Sequence, residues 1–461
     1  VRRVAAVAAA AMLLALSGPV PIASAITEPV VDPAALPPDG PPAPPRPMRP
    51  LGNCVELGMA PGVDVAAPSP SQAMMNPVAL WSAARSRGAG QTIALVDTGV
   101  TPSPRLRVRG GGDYVDKTDG MADCDGHGSA VAAIIGAAPV ETDPLVGMAP
   151  DADLVSIRQS SNAFTPEQGG GNEQEQRAGD VNTLALAVRH AADIPGVRVM
   201  NISVVACISV LKPVDQTTLG AALRYAHREK DIVIVAAAGN TTNAGCGEAN
   251  PDVDATRGKD FRNWGSVVTV STPAWFKDYV LSVGFTAADG SPAKESLPGP
   301  WVGVGAPGVA AFGLNGDQIY TGRMGNKGLF EPLNGTSFAA PYVTGLAALI
   351  RARYPELTAS QVVRRITETA HAPAQIVDNR IGYGVIDPLA ALNWDATVDG
   401  PKYPAERLTR SLTPPPPPQP KDTRGRTVAL SGFGAIVGTL LIAGTVAIVL
   451  AGRRKELGDN D

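Results

Sequence analysis

The sequence is short of net charge, of cysteine and of histidine. Its 39 basic and 43 acidic residues leave a formal net charge of -4 over 461 residues. That balance gives no basic face, so nucleic acid is excluded as the expected partner. Only four cysteines occur (Cys54, Cys124, Cys207, Cys246) and four histidines (His127, His190, His227, His371). None fall in Cys-x-x-Cys or His-x-x-x-His spacing, which excludes the common zinc patterns. No compact acidic cluster supports calcium, so no metal or other cofactor is expected. There is no internal repeat. What remains, at 44% hydrophobic residues, is a globular chain long enough for one large domain or two ordinary ones.

The two ends carry the only targeting signals. Arg2 and Arg3 precede the apolar stretch 4–16, and Ala23-Ser24-Ala25 follows as a small-x-small cleavage site. Residues 1–25 therefore read as a signal peptide. From 427 to 452 no charged residue occurs, and Arg453, Arg454 and Lys455 come next. This reads as one transmembrane helix with a cytoplasmic tail, 453–461. The expected topology is an exported domain held to the membrane at its C-terminal side. All four cysteines lie in the exported part. An even count in an oxidising compartment implies two disulfides, with three pairings open.

Residues 26–75 are rich in Pro and Ala, and Pro37-Pro38, Pro41-Pro42 and Pro44-Pro45 disfavour helix and sheet alike. An extended segment is expected there: a disordered linker, a propeptide, or an arm laid over the domain. From 76 to 394 the pattern becomes α/β. Strands are expected at 92–96, 153–157, 197–204 and 232–237, and helices at 130–137, 181–192, 218–229 and about 337–354. That alternation predicts a parallel sheet flanked by helices. The polar stretch 159–180, with Gly169-Gly170-Gly171, reads as a surface loop. Residues 395–426, with the run Pro414 to Pro418, read as a stiff tether.

Strand ends and helix starts are where α/β enzymes place their chemistry. Asp97 closes a buried strand in Val96-Asp97-Thr98-Gly99. Asp-Thr-Gly also serves aspartic proteases, but those need a second such carboxylate, and no second Asp-Thr-Gly or Asp-Ser-Gly occurs. His127 stands between two glycines in Asp125-Gly126-His127-Gly128-Ser129, at the start of a small-residue helix. Those glycines are expected to leave room for substrate. The other three histidines have no such framing and read as surface or satisfied core residues. Ser337 lies in Asn334-Gly335-Thr336-Ser337-Phe338-Ala339-Ala340-Pro341, at the mouth of a long apolar helix whose amides favour an oxyanion. It is not the Gly-x-Ser-x-Gly elbow, since position 339 is Ala. Asn240 ends a strand in Ala236-Ala237-Ala238-Gly239-Asn240 and can donate to the same oxyanion.

These four segments, in the order Asp, His, Ser, closely resemble the subtilisin-like (subtilase) family. The resemblance implies a three-layer subtilisin-like fold, with Asp97, His127 and Ser337 as triad and Asn240 as oxyanion donor. Signal peptide, Pro-rich extension, protease domain, proline tether, one span and a basic tail together resemble the mycosins, membrane-anchored subtilases of mycobacterial type VII secretion systems. That resemblance implies an extracytoplasmic enzyme that processes a secreted protein substrate and supports the secretion membrane complex. It also implies an arm that wraps the domain, and the pairs Cys54–Cys124 and Cys207–Cys246. One segment departs from ordinary subtilases. Where the cleft-lining strand usually runs Asn-x-Ser-Leu-Gly-Gly, here it is Asn201-Ile202-Ser203-Val204-Val205-Ala206. Ser203, Val204 and Val205 are therefore expected at the substrate, with bulk that narrows the cleft. The alternative is a mainly structural subunit, with proteolysis secondary.

Overall fold

The computed structural model describes residues 26–168, 178–242, 245–254, 256–258, 260–325 and 327–394, and eight positions between 436 and 447. In chain order it opens with a 3-10 turn (Pro33–Ala35), β1 (Met48–Pro50), β2 (Leu57–Gly58), α1 (Pro70–Met75) and α2 (Pro77–Ala84). Then come β3 (Thr92–Asp97), β4 (Val108–Asp113), α3 (His127–Gly136), β5 (Asp153–Arg158), β6 (Phe164–Pro166) and α4 (Val181–Asp193). β7 (Val197–Ile202), β8 (Ala206–Ser209), α5 (Thr217–Arg224), β9 (Val233–Ala237), β10 (Thr269–Thr272), β11 (Val280–Thr286) and β12 (Val302–Pro307) follow. β13 (Gly313–Asn315), β14 (Gln318–Tyr320), β15 (Gly322–Met324) and β16 (Phe330–Pro332) lead to α6 (Thr336–Arg353).

Seven strands form one sheet in the order β12-β11-β9-β7-β3-β5-β4, and every pairing in it is parallel. Side chains on β3 alternate with the period of two that a strand imposes. Ile93 and Leu95 enter the layer that holds α3 and α6. Ala94 and Val96 enter the opposite layer, with α4 and α5. Both faces are covered, so the strand reads as continuous apolar sequence rather than as alternation. Burying each large side chain contributes roughly 1.5–3 kcal/mol. The α6 helix is buried along almost its whole length, as a helix apolar on all sides must be.

The expected strands and helices of the sheet region are present with small shifts. The strand expected to reach 204 stops at Ile202, and β8 turns away to pair with β10. α5 ends at Arg224 and continues as a π turn, Tyr225–Glu229. Within the loop expected at 159–180, Phe164–Pro166 forms a strand; residues 169–177 lie outside the described ones.

The proline-rich arm lies on the domain, and short strands form in it that its prolines did not predict. It docks by backbone pairing: β1 runs antiparallel to β6, and β2 antiparallel to β15. Pro50 and Pro166 sit at strand ends of a two-stranded ribbon, where a missing N–H costs no ladder bond. Ile26, Val31 and Leu36 pack against the α4 and α5 layer, and Glu28 pairs with Lys277 at 3.0 Å. Disulfides join Cys54 to Cys124, which closes 70 residues, and Cys207 to Cys246. This is the pairing the mycosin resemblance implies. Cross-linking a loop of that length stabilises a fold by about 4 kcal/mol, through the entropy it removes from the unfolded chain. Replacing Cys54 and Cys124 together by Ser is expected to lose most of that, read as a lowered denaturant midpoint. An unchanged midpoint would show that strand pairing alone holds the arm.

Residues 410–461 form a separate unit. Its described residues, among them Ile436, Leu440, Ile442 and Val446, are helical and exposed. Among the described residues no helix is long and apolar enough to cross a membrane. Most of the span expected at 427–452 lies outside them, as do the signal peptide at 1–25, the tether at 395–426 and the tail at 453–461.

Candidate active site

Asp97 is the last residue of β3 and is 1% exposed. Its Oδ1 accepts the Thr98 N–H at 2.8 Å and lies 2.6 Å from His127 Nδ1. His127 opens α3. The carboxylate thus fixes the imidazole with Nδ1 protonated and Nε2 free to take a proton. Gly99 has φ of +97°, and a Cβ there would meet the Ala122 carbonyl at 2.1 Å. A Cβ on Gly128 would meet the Gly99 carbonyl at 2.1 Å and Asp97 Oδ1 at 3.1 Å. The room that glycine leaves beside His127 is therefore filled by the β3 turn, not by substrate as expected. On the other side, Leu57 of the arm occupies the space above Gly126.

Ser337 is the second residue of α6. The ring of Phe338, the next residue, lies 5.3 Å from the His127 ring, centroid to centroid. Histidine and serine therefore lie at the same end of the sheet, the carboxyl end. The Ser337 N–H is one of the first-turn amides that have no carbonyl of their own helix to bond, at the positive end of the helix.

Pro341 sits one turn into α6 and cannot donate to the carbonyl of Ser337, four residues back. The Ser203 hydroxyl supplies that missing donor at 2.9 Å. Asn201 Nδ2 holds the Ser203 hydroxyl at 2.9 Å, and Thr344 of the same helix donates to Asn201 Oδ1 at 2.8 Å. The Ser203 side chain is thus buried and turned to the serine's helix, which adds to the expected place of its strand at the substrate. Val204 and Val205 are half-buried, and Val204 packs against the α4 and α5 layer.

Asn240 follows β9 and is oriented by its neighbour. The Thr336 N–H donates to Asn240 Oδ1 at 2.9 Å. A backbone amide only donates, so the oxygen is the atom it faces and Nδ2 points away. Gly335, with φ of +140°, lets the turn before α6 come this close; a Cβ there would stand 3.0 Å from Nδ2.

One half-buried carboxylate beside the pair carries no mark of its own in the sequence. Asp123 Oδ1 accepts from Thr98 Oγ1 (2.8 Å), Asp125 N (3.1 Å) and Gly126 N (2.9 Å), and Oδ2 accepts from Ser129 N at 2.8 Å. Burial pushes its carboxyl up to about 6 against those hydrogen bonds, and the charge of Asp97 adds to the rise. The signal available in sequence was an Asp shortly before a glycine and a helix start, the usual context of a helix cap. The remaining histidines are satisfied as expected. His190 contacts Asp39, His227 bonds the Ile232 carbonyl and Ser360, and His371 contacts Asp387. Among the described residues no cluster of His, Cys, Asp or Glu fits a metal ion.

A parallel sheet covered on both faces, with an Asp–His pair and a helix-borne serine at its carboxyl end, defines a serine protease of the subtilisin class. The subtilase family profile matches residues 88–384. Mycosin-3 of Mycobacterium tuberculosis is 46% identical over 448 residues, 95% of each chain. The structure of the MycP3 protease from the ESX-3 type VII secretion system superposes with a TM-score of 0.75 at 46% identity, covering 80% of this chain and all of that one. A chain in the periplasmic assembly of the ESX-5 inner membrane complex superposes at 0.77 with 43% identity, covering 86% of this chain and 100% of that one. The chain belongs to the subtilases and, within them, to the mycosins.

Proposed function

We propose that Ser337 Oγ is the nucleophile of a limited-specificity endopeptidase, with His127 as its base and Asp97 as the group that orients the imidazole. Oγ adds to the scissile carbonyl carbon while its proton passes to His127 Nε2. The carbonyl oxygen becomes an oxyanion between the Ser337 N–H and Asn240 Nδ2. As the C–N bond breaks, His127 returns the proton to the leaving amine. Water then repeats the sequence on the acyl-enzyme and frees Ser337. The observation that carries this reading is the 2.6 Å contact between Asp97 and His127, at the sheet end that holds Ser337.

Asn240 is expected to act only on the transition state. Asn240→Ala should lower kcat roughly 100- to 1000-fold with KM nearly unchanged. A comparable rise in KM would instead give Asn240 a substrate-binding part. Val205, half-buried where ordinary subtilases have glycine, supports a narrow cleft and weak hydrolysis of generic unfolded proteins.

The domain organisation read from sequence supports a protease held to the membrane by residues 427–452, its catalytic domain outside and residues 453–461 in the cytoplasm. The relative in an ESX-5 inner membrane complex supports a part in bracing a type VII membrane complex; processing of a secreted protein substrate is the further part that the mycosin resemblance implies. Ser337→Ala and removal of residues 427–461 separate these parts in cells. Secretion that survives the first and fails with the second would make the structural part dominant. Secretion lost with Ser337→Ala would make proteolysis the essential part.

A further inference from the structure

We propose that Asp123 is a positioning residue for His127, holding the start of α3 and, through Thr98, the Asp97–His127 pair in the geometry from which the proton is taken. The inference rests on the reading of His127 as the base. The cap residue of α3, Gly126, has no side chain with which to satisfy the first amides of the helix. Asp123 does so from three residues upstream, taking the N–H groups of Asp125, Gly126 and Ser129. The Gly128 N–H goes to Thr98 Oγ1 at 2.9 Å. The amides on both sides of His127 are thus tied to Asp123 directly or through one hydroxyl.

Thr98 Oγ1 has a single proton and two carboxylates within reach. Asp123 Oδ1 lies at 2.8 Å and Asp97 Oδ1 at 3.3 Å. The proton goes to the nearer oxygen, so Asp97 keeps its lone pairs for the Thr98 N–H and His127. Asp97 Oδ2 is buried and has no partner among the described residues. The site therefore carries one buried acid, one half-buried acid and one imidazole. The second anion favours the imidazolium that forms as Ser337 attacks. The titratable groups around Asp123 are Asp97 on β3, Asp125 in its own loop and Tyr320 on β14, with His127 on α3 reached through Asp97 and Arg323 on β15 acting on Tyr320. Asp125 turns the other way, to the Ser161 hydroxyl and the Asn162 N–H, so Asp123 is the second acid joined to Asp97, through Thr98 Oγ1.

The test uses the full chain and a fluorophosphonate probe, with the second-order labelling rate of Ser337 followed across pH. Asp123→Asn is expected to slow labelling roughly 10- to 100-fold. It is also expected to move the acid limb of the profile down by about half a unit to one unit, since an anion beside the imidazolium is gone. A cap that served folding alone would lower the melting temperature and leave the acid limb in place, which would overturn the proposal. If Asp123→Asn does not fold, Thr98→Val carries the test: it should also slow labelling, and Thr98→Ser should restore most of the rate. Thr98→Val labelled as fast as wild type would overturn the proposal as well. A wild type that does not label at Ser337 removes the triad reading and this inference together. A labelled wild type with an unaltered Asp123→Asn removes this inference alone.

Discussion

Ser337→Ala is expected to cut peptide hydrolysis by roughly a million-fold in kcat, with folding intact. The change deletes one oxygen at the start of a helix whose packing does not depend on it. The carbonyl of Ser337 stays bonded to Ser203, and Asn240 stays pinned by the Thr336 amide. What remains is the oxyanion cradle and whatever binding the cleft supplies, and such remnants retain a residual advantage over water. Melting temperature and active-site titration, measured together, check both halves of this expectation. A variant that melts with wild type yet still hydrolyses at a tenth of its rate would place the nucleophile elsewhere.

Asp97→Asn should cost roughly ten-thousand-fold in kcat. Asp97 Oδ1 now accepts from the Thr98 N–H and from His127 Nδ1. In the carboxamide, one of the two side-chain atoms donates rather than accepts. The Thr98 amide and the imidazole face the same atom, so an oxygen there keeps both bonds, and the amino group takes the buried place of Oδ2, where it finds no acceptor among the described residues. The carboxamide also carries no charge to stabilise the imidazolium that forms as serine attacks. The loss should fall in kcat, with KM little changed, and Asp97→Glu should not restore it, because the carboxylate sits in a site with no slack: 1% exposed, with Gly128 packed against it. A loss below ten-fold would mean that another group stabilises the imidazolium.

The parts of this site that were legible in the sequence are those whose chemistry and location coincide in one short segment. Thr92 to Asp97 is an apolar run that ends in an acid. Gly126, His127 and Gly128 frame an imidazole with residues that have no side chain. Gly335 to Ala340 puts a hydroxyl at the head of an apolar helix. Each announces both an element and a group. The segments that escaped owe their structure to partners far along the chain. Met48–Pro50 is a strand only because Phe164–Pro166 lies beside it, and nothing local in a proline-rich stretch says so. Val108–Asp113, with three successive glycines, has no apolar pattern and lies at the sheet edge, held by β5.

Ser203 shows a different failure. A motif correctly placed it beside the active site but could not say which way its hydroxyl turned. That direction is set by Pro341, 138 positions later, whose missing N–H leaves the Ser337 carbonyl in need of a donor. Asp123 was passed over because one acid among several near a histidine carries no mark of its own. Only the fold shows three amides and a hydroxyl converging on it.

The proposed chemistry comes down to one oxygen atom made nucleophilic by one imidazole. Its most direct test is to treat the folded full chain with a fluorophosphonate and map the adduct by peptide mass spectrometry. One adduct per chain is expected, on Ser337, and none in Ser337→Ala. A folded chain that takes no label, or takes it on another residue, would contradict the account.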